Sequence, residues 1–224
     1  MHTFLLCLTI LACLVLATSW HEDMSGSPVI QSSEELESGA TKSKIEKVSL
    51  SPSQIAIATL KNHFQVDNGL AQNQTNLEDF VNQFTVPDNF KSSTGLFVTF
   101  SKEGKTRACW GSLNPKYHNL PEATVYTTLD ALKKEYRHTP IQKDEIKDLK
   151  AQVTVVKSVV PVQSTSSVNP LRDGLMVRAN GKGAVILPGE TCDNHMQLVM
   201  AKLKANINSN QSCQLYRIET DVYK

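Results

Sequence analysis

The chain has 224 residues, 40% of them hydrophobic, and a formal net charge of +1. That length is enough for one sizeable core, and without a dense lysine–arginine stripe the chain gives no sign of a nucleic-acid partner. The near-neutral total hides a split: residues 20–50 carry a net −3 and the remainder a net +4.

In chain order, the first feature is an uncharged apolar run from Thr3 to Ala17, placed where a secretory h-region belongs. Residues 1–19 are therefore expected to be a signal peptide or membrane anchor, and the protein to be exported, either secreted or periplasmic. Three fates fit the segment. Small residues at Ala17 and Ser19 suit cleavage before Trp20, and Ile10-Leu11-Ala12-Cys13 loosely resembles a lipobox in which Cys13 would be acylated. Uncleaved, the run from Thr3 to Trp20 is just long enough to cross a bilayer core of about 30 Å. A membrane is expected to be met only through this segment. Residues 20–48, rich in Ser, Glu and Gly with little apolar periodicity, read as a flexible polar tether.

Residues 49–224 are expected to form the folded domain. Ser51-Pro52 predicts a helix start, with Ile55, Leu60 and Phe64 on its apolar face, and a shorter helix follows over Asn76 to Phe84. The period then changes. Gly95 to Phe100 predicts a strand that Lys102-Glu103-Gly104-Lys105 turns back into a second strand from Thr106 to Leu113. Pro121 opens a helix expected to end before Pro140. Leu149 to Val160 is a long β-branched strand, and Asn180-Gly181-Lys182-Gly183 links strands at Gly174 to Ala179 and Ala184 to Leu187 as a hairpin. Met196, Val199, Met200, Leu203 and Ile207 fall on one face of a last helix, before a closing strand from Leu215 to Tyr223. Antiparallel strands with interspersed helices predict an α+β domain.

At this point the order of pieces resembles a known family. Gly95 to Leu113 (GLFVTFSKEGKTRACWGSL) is similar to the strand-turn-strand signature of the AMMECR family. Asn169 to Leu175 resembles its PGRDGL turn, Ala184 to Pro188 its apolar strand ending in LLP, and Leu215 to Ile218 its closing strand. The resemblance runs collinearly over about residues 50–224. It implies a two-lobed α+β domain, with a main antiparallel sheet flanked by helices and a smaller β lobe. It carries no settled activity. Family relatives often occur with a Memo-like protein and a radical SAM protein inside the cell, company that an exported copy would not meet. The chain departs from the family at Ala108 and Trp110, at His138-Thr139, and at Gly189-Glu190, which favours a repurposed binding domain.

The candidate chemistry centres on the second strand. Alternation sends Arg107, Cys109 and Gly111 to one face and Ala108, Trp110 and Ser112 to the other. An arginine two positions away can lower a thiol pKa, and a glycine leaves room for a ligand, so Cys109 is a candidate nucleophile. The alternative is a buried strand cysteine beside a structural arginine. No base is assigned among His63, His118, His138 and His195. Arg107, Gly111, Ser112, Arg172 and Asp173 are the candidate ligand-binding residues, in a cleft where the Arg107–Ser112 strand meets the Arg172–Gly174 turn. Cys192 and Cys213 could form a disulfide after export, and Asn73-Gln74-Thr75 and Asn210-Gln211-Ser212 match the glycosylation sequon of eukaryotic secretory pathways. Metal-ligand spacing is absent, and no cofactor is expected. Three functions are carried forward: a module binding a small molecule or a protein, an enzyme using Cys109 with Arg107, and a degenerate structural domain.

Overall fold

The computed structural model describes residues 47–67, 69–70 and 76–224. The apolar N-terminal run, Cys13, the tether up to Glu46 and the Asn73 sequon lie outside the described residues. Among the described residues no helix is long and apolar enough to cross a membrane.

The first helix, α1 (Pro52–His63), begins where Ser51-Pro52 predicts. The Ser51 hydroxyl accepts from the Gln54 amide, and the Gln54 side chain accepts the Ser51 amide at 2.8 Å. This reciprocal capping satisfies two donors that a helix start leaves free. A short α2 (Leu77–Asn82) is capped by the Asn76 side chain. Val48 joins the fold just before α1: its amide donates to Gln83 O at 2.7 Å and its carbonyl accepts from Thr85 at 2.9 Å.

The expected hairpin is β1 (Leu96–Lys102) and β2 (Lys105–Ser112), turned by Glu103 and Gly104, both at positive φ. Helix α3 (Leu120–Lys134), capped by Asn119, ends short of Pro140. Then follow β3 (Lys150–Val162), β4 (Gly174–Ala179), β5 (Lys182–Ile186), α4 (Asn194–Lys204) and β6 (Gln214–Tyr223). Asn180 and Gly181 both take positive φ, as a two-residue hairpin turn requires.

All six strands pair antiparallel in one curled sheet of order β2-β1-β3-β6-β4-β5, flanked by helices. The two expected lobes are the two halves of this sheet, each with its own core. In the first, Leu96, Val98 and Phe100 of β1, Ala108 of β2 and Val153 of β3 pack against Leu60 of α1 and Ala123 of α3. In the second, Leu175, Val177 and Ile186 pack against Ala201 and Ala205 at α4.

Strand β3 joins the halves. Its residues Lys150–Val155 pair with β1, a register shift follows between Val156 and Ser158, and from there β3 pairs with β6 alone. Pro161 is tolerated within the strand because β3 has a neighbour on one side only at that point.

The expectation for α4 needs correcting. Met196 and Leu203, expected on its buried face, are 49% and 73% exposed, whereas Gln197 and Ala201 are fully buried. The helix is turned because the Gln197 amide donates to Asp173 O at 3.1 Å, a bond that fixes this polar side chain inward.

Candidate functional site

The alternation along β2 holds. Ala108 enters the first core, while Cys109 points to the opposite face, where Thr99 of β1 lies across from it and Gln152 of β3 lies across from Thr99. The Thr99 hydroxyl donates to Cys109 Sγ at 3.3 Å. Burial pushes the Cys109 thiol pKa up, and the Thr99 hydrogen bond offsets this only in part. Thr99 is the thiol's hydrogen-bond partner; among the described residues no histidine or carboxylate bonds to it.

Strand β2 lies at the edge of the sheet, so the backbone groups of Cys109 that face away from β1 need other partners. The Cys109 amide donates to Glu135 Oε2 at 3.0 Å, and Arg137 Nη2 donates to the Cys109 carbonyl at 3.1 Å. Glu135 and Arg137 are themselves an ion pair. Burial alone would raise the Glu135 pKa, but hydrogen bonds from Arg137 and from the Cys109 amide bring it down to about 2. Two side chains from the segment after α3 thus take the place of a neighbouring strand. Composition alone does not mark Glu135 for this role; its signal is an acid–X–arginine triplet just past a helix end.

Arg107 is occupied elsewhere. Its guanidinium makes a two-pronged bond to Glu145, at 2.9 and 2.8 Å, and a third to Thr139 O at 3.1 Å. The Arg107 hydrogen bond, with another from the Gln142 amide, holds the Glu145 pKa at about 2. Arg107 therefore tethers the segment between α3 and β3, and the thiol it was expected to activate is shifted the other way.

Gly111 does not open space for a ligand. A Cβ there would lie 2.4 Å from both the Leu96 carbonyl oxygen and the Phe97 ring, so β1 fills the room. Ser112 Oγ accepts from the Asn114 amide. The expected Cys192–Cys213 pair is not joined in the structure. Cys213 packs with the second core beside Leu215, while Cys192 stands exposed in the loop before α4, and both thiols are free.

Arg172 and Asp173 lie in a turn held by its own polar groups. Asn169 O accepts the Arg172 and Asp173 amides at 2.9 and 2.7 Å, and Asp173 Oδ2 accepts the Asn169 amide at 2.9 Å. The Arg172 side chain is exposed and makes no hydrogen bond or ion pair among the described residues. The Gly189 amide donates to Pro170 O at 2.8 Å, which ties the segment after β5 to this turn. Gly189 adopts φ +79°, where a side chain would be strained.

Two hollows result. The first, of about 680 Å³, has Thr99, Cys109 and Gln152 on one side and Leu187, Glu190 and Lys204 on the other. The second, of about 610 Å³, is bounded by Arg172, Asp173, Arg217 and Glu219. Leu171 and Val222 border both. The strand and the turn expected to meet in one cleft therefore serve adjacent hollows across a shared apolar ridge. Of the histidines, His138 lines the first hollow and His118 pairs with Glu122. His63 rests edge-on against Phe64, and burial lowers its pKa, with a contribution from Lys133.

The AMMECR1 family model matches residues 53–224. A Thermotoga maritima protein is 31% identical over 145 residues, covering 62% of this chain and 83% of that protein. A Clostridium acetobutylicum protein is 30% identical over 128 residues, covering 56% of this chain but 26% of that longer protein. The crystal structure of an uncharacterized protein from Pyrococcus horikoshii superposes with a TM-score of 0.59 at 17% identity, over 76% of this chain and 88% of that one. At that identity the likeness speaks to the fold alone.

Proposed function

We propose that this chain, which belongs to the AMMECR1 family, is an exported binding module that takes a small polar ligand into the hollow over Cys109. One observation carries this reading. The Cys109 thiol faces an open, largely polar hollow, yet burial disfavours its ionised form and its hydrogen-bond partner is a donating hydroxyl rather than a base. A nucleophile needs the opposite environment. A volume of about 680 Å³ lies within the range of small-molecule sites, which supports binding over a degenerate structural domain. Export is supported by the apolar run from Thr3 to Ala17.

The test is iodoacetamide alkylation of the native protein followed peptide by peptide against pH, with exposed Cys192 as the internal reference. Cys109 is expected to reach its half-maximal rate at a higher pH than a cysteine in a short unstructured peptide. A Cys109 that reacts faster than Cys192 at neutral pH would overturn the binding reading in favour of a thiol enzyme. A mixed panel of neutral, cationic and anionic metabolites should contain members that slow the alkylation of Cys109 alone. Mass spectrometry of the mature N-terminus checks export: a start at Trp20 supports cleavage and rules out acylation at Cys13, whereas an intact Met1 in the soluble fraction would count against export.

A further inference from the structure

We infer that the ligand of the Cys109 hollow carries an oxyanion, a phosphate or a carboxylate, received between Lys204, His138 and Arg137, with an apolar body laid against Leu187 and Met200. This rests on the binding reading above and names the chemistry the site would select.

The inference comes from an account of which polar groups lining the hollow are already engaged. Arg137 spends Nε and Nη2 on Glu135 and the Cys109 carbonyl, leaving Nη1 free. Lys204 donates once, to Val185 O at 2.8 Å, so two of its three N–H groups remain. His138 has no hydrogen-bond partner among the described residues and is exposed, and Lys224 lines the same space. Opposing these donors is Glu190, one of whose oxygens already accepts the Leu187 amide at 3.0 Å. Lys204 and Glu190 face the same hollow without forming an ion pair. The lining therefore holds N–H donors on Arg137, Lys204 and His138 that remain unspent, and among its side chains more positive than negative charge. A ligand group with several acceptor oxygens and a negative charge satisfies both.

The shape of the wall supplies the second half of the argument. On the side opposite Thr99 and Gln152 the hollow is lined by Leu187, Pro188 and Met200, with Leu171 and Val222 at its border. Lys204 and Glu190 stand on that same wall, so charged and apolar groups lie side by side there, which fits an amphipathic organic anion better than a bare inorganic one. Inorganic phosphate and acetate are thus expected to bind as weak fragments of the true ligand.

The experiment uses the whole chain, with sodium phosphate and sodium acetate as probes at constant ionic strength balanced by chloride, reading protection of Cys109 from iodoacetamide. Phosphate protection without acetate protection assigns a phosphoryl group, and the converse a carboxylate. Lys204→Gln keeps a donor for Val185 O and removes the charge, and is expected to weaken protection roughly three- to ten-fold. Glu190→Gln keeps an oxygen for the Leu187 amide and is expected to strengthen protection by a similar factor, the size of one charge interaction near a protein surface. His138→Gln, at an exposed position, is a further weakening variant should Lys204→Gln fail to fold. Opposite signs for the two charge changes support the inference; equal signs would mean a structural effect and overturn it. If neutral or cationic members of the metabolite panel protect Cys109 while neither anion does, the oxyanion falls and the binding reading stands. If nothing in the panel protects, both fall.

Discussion

Around β1 and β2 the polar groups left at strand edges and loops are met by arginine–carboxylate pairs, whereas around β5 and α4 they are met by single lysines. In the first half Arg107 joins Glu145 to Thr139 O, and the Glu135–Arg137 pair closes both sides of the Cys109 peptide. In the second half Lys182 reaches Asn206 O, Lys202 reaches Ser209 O and Gln211 O, and Lys204 reaches Val185 O. A guanidinium fork fixes its carboxylate in plane and at two points, while an ammonium on a four-carbon stem holds a carbonyl at one. The hollow over Cys109 thus has a fixed wall on the β2 side and a compliant one on the α4 side. A site of that kind can accept a ligand without disturbing the strand that carries its thiol.

The sharpest way to break this contrast is to ask whether the halves are separable at all. Phe100 is fully buried in the first core and Leu175 in the second. Phe100→Ala is expected to cost about 3–5 kcal/mol and Leu175→Ala about 2–5 kcal/mol. Because β3 and β6 pair along both halves, each variant should lower hydrogen-exchange protection in both cores together. Protection lost only in the mutated half would show two independent units. A smaller effect isolates the fixed wall. Glu135→Ala leaves the Cys109 amide without its acceptor and Arg137 without its counter-ion, and is expected to cost about 1–3 kcal/mol. Urea unfolding measures the loss, and faster exchange of the Cys109 amide locates it.

The sequence made the scaffold of the first half readable because its elements are local. The β1–β2 hairpin follows from period-two alternation around one turn, and α1 from a Ser-Pro start. The fixed wall was not readable in the same way, since Glu135 and Arg137 serve a strand residue 26 and 28 positions away. Spacing says nothing about such a reach. Arg107 was singled out for its nearness to Cys109 in sequence, but its length lets it find Glu145, 38 positions on. The same limit applies to α4, where apolar periodicity chose Met196 and Leu203 while the hydrogen bond of Gln197 decided which side faces inward.

Acid sharpens the same comparison with a gentler effect. Glu135 and Glu145 both have pKa values brought down to about 2 from a usual value of 4.5. A carboxylate lowered on folding contributes stability that is fully present above its unfolded pKa and is lost as pH falls toward the folded one. The arginine-held wall should therefore loosen between about pH 4.5 and pH 2, where the lysine–carbonyl contacts keep their charge. Glu219 on β6 is also lowered, by the Ser158 hydroxyl and then by Arg217, but it is a surface strand residue and not part of the lysine-held loops. Hydrogen exchange as a function of pH, corrected for intrinsic rates, is expected to show the Glu135–Glu145 segment opening before the α4 region. The reverse order would remove the distinction between the two walls.

The smallest expected change is at Arg172, on the ridge side of the second hollow. Its backbone turn is held by Asn169 and Asp173, and its side chain makes no hydrogen bond or ion pair among the described residues, so no polar contact of the fold depends on the guanidinium. Arg172→Ala should alter unfolding free energy by less than about 0.5 kcal/mol, with its thermal midpoint close to that of the parent. That neutrality is what makes the variant informative. Arg107 and Arg137 cannot be removed without releasing a wall, so a loss of ligand protection in either variant would mix binding with stability. Arg172 carries no such burden. If its removal leaves Cys109 protection by phosphate or acetate unchanged, the ligand is confined to the first hollow; if protection falls at unchanged stability, the ligand crosses the Leu171–Val222 ridge and uses both.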